Sequence, residues 1–317
     1  MMVNEPMVKT EKKKMNSFAK NKVSGWIFAY SFLAYPLILF AVFYVYMNFN
    51  SFLLAFQNIK LDGTRVFVGF ENISEFVSGV LSAGLIKISF WNSIIRWILC
   101  TAIGVPLAIV WAWLMFREFP GWSVVRLIVM VPAIVGGFVY SLVFKIFAGT
   151  PVQQVMQAIG FKSFPNLMEN GSYVFGTTLF YSIWTSFSSS LIIYPNAMRS
   201  IDPALFESGR IDGMSTMWQE LRYIVLPLIY PTLTTFLVTG FSAIFSDSGP
   251  LVAFFMYEAP PETYNIGYMM TVQIFADASS TTNLPKVSAA GLVLTAVVGP
   301  LTLLLRWGLD KLSPLED

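Results

Sequence analysis

The sequence predicts an all-α integral membrane protein with six transmembrane helices and one polar cytoplasmic loop. Three observations carry this. The 317 residues are 56% hydrophobic and only 12% charged, too apolar for a soluble domain of this length. Six runs reach the roughly 20 mostly apolar residues that a spanning helix needs, near 26–49, 90–116, 124–147, 173–194, 228–245 and 287–305. With the amino terminus inside, thirteen of the 20 Lys and Arg fall on the cytoplasmic side. The positive-inside rule therefore puts both termini in the cytoplasm.

In chain order, residues 1–22 form a basic tail carrying Lys9, Lys12, Lys13, Lys14, Lys20 and Lys22. This cluster serves as a topology signal and also suits anionic lipid. Residues 23–317 read as one transmembrane domain. The first apolar run is too long for a secretory signal, and no small-residue cleavage site follows it, so it is expected to stay as a span. Stretches 50–86, 148–172 and 246–286 are outer loops, and Gln153 to Ile159 reads as a short helix on the outer interface, suited to lipid anchoring or to a partner. Asp62-Gly63 matches turn chemistry. Arg96 and Lys145 lie near outer span ends, where long side chains snorkel.

The polar segment 201–227 separates the fourth and fifth spans. Asp202 before Pro203 is a helix start, and Gly213 can take the left-handed conformation that ends a helix. Thr216 and Gln219 have capping-box spacing. A second amphipathic helix is expected from there to Pro227, with Met217, Trp218, Leu221, Ile224, Val225 and Leu228 on its apolar face. Glu207, Arg210, Glu220 and Arg222 form the polar face of the resulting knob. By shape alone, this is a docking element or an amphipathic loop resting on lipid.

Glu207, Asp212, Gly213 and Pro227 stand in the order and spacing of the EAA loop, so the chain resembles the permease subunits of binding-protein-dependent ABC importers. That resemblance implies a coupling site at Glu207, Arg210, Asp212, Gly213 and Pro227, docked in a groove of an ATPase. The usual alanines after the glutamate are Ser208 and Gly209 here, small but weaker helix formers. Val68-Gly69-Phe70-Glu71-Asn72, Asn92-Ser93, and Arg126 six residues before Pro132 also resemble the maltose-transporter type of carbohydrate permease. The implied partners are a second homologous permease subunit, two cytoplasmic ATPase subunits that bind ATP and Mg, and an external solute-binding protein whose lid meets the outer loops. The implied location is a bacterial or archaeal cell membrane.

A solute pathway needs hydrogen-bonding groups where lipid-facing surface has none. Segment four supplies aromatics and hydroxyls from Tyr181 to Ser190, which suit the C–H faces and hydroxyls of a sugar and equally suit helix packing. Thr235, Thr239, Ser242 and Ser246 form a stripe in segment five, and segment three adds Gly136, Gly137, Tyr140 and Ser141. The candidate pathway residues are Tyr140, Trp184, Ser188, Thr239 and Ser242. A neutral sugar or oligosaccharide fits this lining; another small solute, such as glycerol phosphate, a polyamine or an amino acid, is the alternative. From another class, the rival is a membrane scaffold or sensor that moves nothing. The scarcity of intramembrane charge argues against a proton relay. With one cysteine and no histidine, neither a disulfide, a metal site nor a Ser or Cys nucleophile with its base is expected. No glycine-lysine phosphate loop is present, so no cofactor is expected in this chain, and nothing points to nucleic acid.

Overall fold

Long apolar runs offer their backbone no water, so they form helices, which satisfy their own amides. The computed structural model describes Trp26, Phe28 and residues 30–118, 121–124, 126–128, 137–169, 171–275 and 280–313. The chain divides into two units at Leu54. The described part of the first includes helix α1 (Tyr30–Leu54), with a wider π turn at Phe40–Tyr46. Its large apolar side chains, among them Phe32 and Tyr46, are exposed as a lipid-facing surface requires.

The second unit begins with an antiparallel hairpin, β1 (Gln57–Ile59) and β2 (Arg65–Phe67), with Gln57 opposite Phe67. This is a departure from the all-α expectation. Its turn follows from Asp62-Gly63: Gly63 has φ +82°, and Asp62 Oδ1 accepts from the Thr64 hydroxyl (2.7 Å) and amide (2.9 Å). Those bonds, the hydroxyl's first, hold the Asp62 carboxyl below its usual range. The Val68–Asn72 segment ties the hairpin to α2 (Glu71–Leu81). Gly69 turns the chain at φ +61°, and buried Asn72 donates to the Gln57 carbonyl at 2.9 Å.

The remaining helices are α3 (Leu85–Phe116), α4 (Gly137–Ala148), α5 (Thr150–Ala158), α6 (Gly171–Arg199), α7 (Pro203–Ile211), α8 (Met217–Ser242), α9 (Leu251–Phe255), α10 (Ile266–Phe275) and α11 (Ser280–Lys311). Among the described residues, four helical stretches are long and apolar enough to cross a membrane: α1, α3, α8 and Thr281–Lys311 of α11. The fourth expected span is α6. It is long enough at 29 residues, but its serines and threonines keep it below the hydropathy of the other four. The third expected span is described at 124, 126–128 and along α4. Pro132, Gly136 and the basic tail lie outside the described residues.

Small residues let α3 approach α6. Gly104, Ala108 and Ala112 recur every fourth position on α3 and are buried, and Ala108 and Ala112 share a core with Phe187, Leu191 and Met198 of α6 and Val225 and Ile229 of α8. A second core joins Phe76 of α2, Tyr268 and Met269 of α10, and Leu294 of α11. The segment expected as an open outer loop, 246–286, thus contains α9 and the buried start of α10. Polar side chains drive this. Asn92 donates to the Glu262 and Tyr264 carbonyls at 2.8 and 2.9 Å, Ser93 Oγ accepts from the Ile266 amide at 3.0 Å, and Asn265 Oδ1 caps α10 by accepting from Tyr268 N at 2.7 Å.

Candidate functional site

Two places concentrate candidate side chains. In the loop after α6, Asp202 Oδ1 accepts from the Ala204 amide at 2.9 Å and starts α7. Gly213 ends the helical turn at φ +96°, and the Met214 amide bonds the Gly209 carbonyl at 3.0 Å, a left-handed helix closure. Gly209 is buried; a β-carbon there would fall 1.7 Å from Met214 Cε and 3.1 Å from Ile224 Cδ1. Phe206 seats α7 on the end of α3, its ring 6.3 Å from Trp113 and 5.9 Å from Phe116. Glu207, Arg210, Asp212 and Gly213 remain exposed, and Pro227 is half-buried. Ile211 projects beside them, 87% exposed.

The capping box forms, with Thr216 Oγ1 accepting from Gln219 N at 3.3 Å and Gln219 Oε1 from Thr216 N at 3.1 Å. The helix it starts does not stop at Pro227. It continues as α8 because Leu221–Val225 widens into a π turn, in which the Leu226 amide reaches back to Leu221 O. That wider turn accommodates the donorless proline directly after it. It also changes the faces: Leu221, Ile224 and Val225 are buried as expected, whereas Trp218 is 55% exposed.

Glu220 corrects the expected polar face. Its side chain is 6% exposed and accepts from Arg117 at the end of α3 and, at 3.3 Å, from Arg210 Nε of α7. Three elements therefore meet on one carboxylate. Arg117 also lies over the Trp113 ring, 5.0 Å from its centroid.

The second place is a cavity of about 880 Å³ bounded by α3, α4, α6, α8 and the segment around Asp247. Trp97, Tyr181, Tyr194 and Phe236 give it aromatic walls, and serines and threonines supply most of its polar groups. Arg96 and Asp247 are its only charged lining residues among those described, and they form an ion pair at 2.9 Å. Of the expected pathway residues, Thr239 lines this cavity. The other four do not. Tyr140 and Trp184 pack edge-on with centroids 5.5 Å apart, Ser188 is fully buried and donates to Trp184 O at 2.9 Å, and Ser242 sits exposed at the end of α8. From α8 the lining residues are Phe236, Leu237, Thr239 and Gly240, with Ala243 just past its end, a face rotated from the expected hydroxyl stripe. Arg96 and Asp247 were missed because nothing local pairs residues 151 apart.

Helices long and apolar enough to cross a membrane, wrapped around a hydroxyl-lined cavity, make this a membrane transport subunit by class. The chain belongs to the family of binding-protein-dependent transport system inner membrane components, whose profile matches residues 76–315. Members are permease subunits and not themselves enzymes. Similar proteins include the multiple sugar-binding transport system permease protein MsmF of Streptococcus mutans, 24% identical over 240 residues (72% of this chain, 79% of that one). Another is the probable starch degradation products transport system permease protein AmyD of Thermoanaerobacterium thermosulfurigenes, 22% identical over 298 residues (92% and 95%). In fold, the chain matches one from a bacterial ABC transporter involved in import of the acidic polysaccharide alginate, with TM-score 0.74 and 21% identity over 95% of this chain and 100% of that one.

Proposed function

We propose that this chain is the membrane-spanning permease subunit of an ATP-driven importer that takes up a sugar or oligosaccharide delivered by an external binding protein. The observation that carries the proposal is the cavity of hydroxyls and aromatic rings inside a permease of this family. Aromatic planes suit the C–H faces of sugar rings, and flanking hydroxyls suit their OH groups. The sugar systems named for MsmF and AmyD support the same substrate class.

The working unit in this reading pairs the chain with a second permease above two ATPases, which bind ATP and Mg. The tail 1–22, both termini and the loop 201–227 face the cytoplasm, with six spans between. Glu207, Arg210, Asp212, Gly213 and Pro227 form or support the docking surface for one ATPase. Closure of the ATPase pair draws the docking loops together, and α8, running from the loop to the cavity wall at Thr239, carries that movement into the pathway as a rigid-body switch between inward- and outward-facing states. Tyr140, Trp184, Ser188 and Ser242 then act around the pathway, through packing or in the other state.

The test is gentle extraction of the tagged chain, mass spectrometry of co-purifying proteins, and ATP-dependent uptake of labelled saccharides by the reconstituted assembly. Recovery of a second permease and an ATPase, with saccharide uptake, is the expected result. A chain recovered alone under conditions that preserve known complexes, with no uptake defect on deletion, would overturn the proposal in favour of a scaffold.

A further inference from the structure

Six hydroxyls of the cavity wall share a one-sided hydrogen-bonding character. Ser93, Ser141, Ser182, Thr185, Ser190 and Thr239 each donate their hydroxyl hydrogen to a backbone carbonyl one turn earlier, at 2.7 to 2.9 Å. A hydroxyl spent this way has only acceptor lone pairs left. These six positions receive hydrogen bonds from a polyol and offer no hydroxyl hydrogen to a carboxylate or phosphate, which can only accept. The strongest donor in the lining is the Arg96 guanidinium, whose Nη2 already donates to Asp247 and whose charge Asp247 offsets.

This pairing is built into the backbone. Asp247 Oδ1 accepts from the Gly249 amide at 2.8 Å while Oδ2 accepts from Arg96 at 2.9 Å. Gly249, at φ +59°, lies so close under Arg96 that a β-carbon would fall 1.8 Å from Nη1, and a β-carbon on Gly267 would fall 2.6 Å from the Asp247 carbonyl carbon. Two glycines thus let the Asp247 turn press against both α10 and Arg96. Arg96 is mostly shielded, its side chain 16% exposed, whereas Asp247 is 60% exposed. The carboxylate is the more accessible partner, and losing it would leave the guanidinium charge facing the cavity.

We propose that Asp247 sets the charge selectivity of the pathway: by neutralising Arg96 it makes the cavity admit uncharged saccharides and reject acidic ones. This rests on the saccharide reading above and adds the substrate's charge class and the residue that selects it.

The sole cysteine, Cys100, supplies the readout, because it lines the same cavity one helical turn after Arg96. The purified complex is reacted at low ionic strength with methanethiosulfonate reagents that end in a sulfonate or a trimethylammonium group. An unpaired charge on the order of 6 Å away changes each rate about threefold in opposite directions, or about tenfold in the anionic-to-cationic ratio. Asp247→Asn, which keeps an oxygen for the Gly249 amide, is expected to raise that ratio. Arg96→Gln is expected to lower it, and the double variant, which controls for folding, to restore the wild-type value. Trigalacturonate is expected to protect Cys100 in Asp247→Asn and not in wild type, while neutral maltotriose protects the wild type. A ratio unmoved in both single variants overturns the role of Asp247, whichever sugar protects. Ratio shifts without protection by either trisaccharide overturn the saccharide reading, and the selectivity with it.

Discussion

Replacing Glu220 by Gln keeps the side chain's size and removes the charge on which α3, α7 and α8 converge. The carboxylate is nearly buried, so the change deletes two charge-assisted hydrogen bonds and leaves an amide N–H₂ facing guanidinium donors. Breaking a buried ion pair costs about 3–5 kcal/mol. Arg117 and Arg210 are 33% and 56% exposed and can regain water, which lowers the expected loss to about 2–3 kcal/mol. The assay is thermal unfolding of the solubilised complex, read through a double-mutant cycle with Arg117→Gln. In a chain of 317 residues the single change should lower the melting temperature by roughly 3–5 °C. The cycle should return a coupling energy above about 1 kcal/mol. Arg210→Gln alone should cost less than about 1 kcal/mol, as exposed pairs do. Additive single variants, or Glu220→Gln melting with the wild type, would refute the idea that this carboxylate holds the loop to the bundle.

Three further outcomes are expected. Gly213→Asp places a β-carbon at φ +96°, costing about 1–2 kcal/mol of local strain, and should leave ATP hydrolysis running with uptake lost; normal uptake would count against docking at this loop. Asn92→Ala removes two bonds to the Glu262 and Tyr264 carbonyls, about 1–3 kcal/mol, and should speed amide exchange across 261–268 more than elsewhere. Gly267→Ala drives a methyl into the Asp247 backbone and should cost about 1–3 kcal/mol; a variant as stable as wild type would mean that this turn is free to move.

The loop was legible because its signals are local. Asp202, Gly213 and the Thr216–Gln219 box each act within four residues, and each sits where its spacing predicts. The continuation of α8 past Pro227 was not legible, because a π turn has no sequence mark as sharp as the proline that argues against the helix. Glu220 read as surface because charge on a short amphipathic helix ordinarily is; its burial depends on Arg117, 103 residues away. The cavity's hydroxyl and aromatic character was readable from composition. Its lining residues were not, since the rotation of α8 decides between Thr239 and Ser242. The segment 246–286 read as loop because its helical pieces are short and punctuated by proline, and its burial depends on Asn92 and Ser93 from a distant helix.

The serine-rich α6 also bears on how the protein is made. A segment of such modest hydropathy gains little by leaving the insertion machinery alone for lipid. Its hydroxyls lessen the penalty by bonding their own backbone, yet the faces around Ser182 and Ser188 still need a neighbour. The small-residue ridge of α3 is synthesised first and provides one. In the proposed six-span arrangement, entry of α6 into the bilayer is thus a docking event as much as a partitioning one, and bulk introduced at Ala108 or Ala112 should appear as failed membrane integration of α6 before any step of transport is reached.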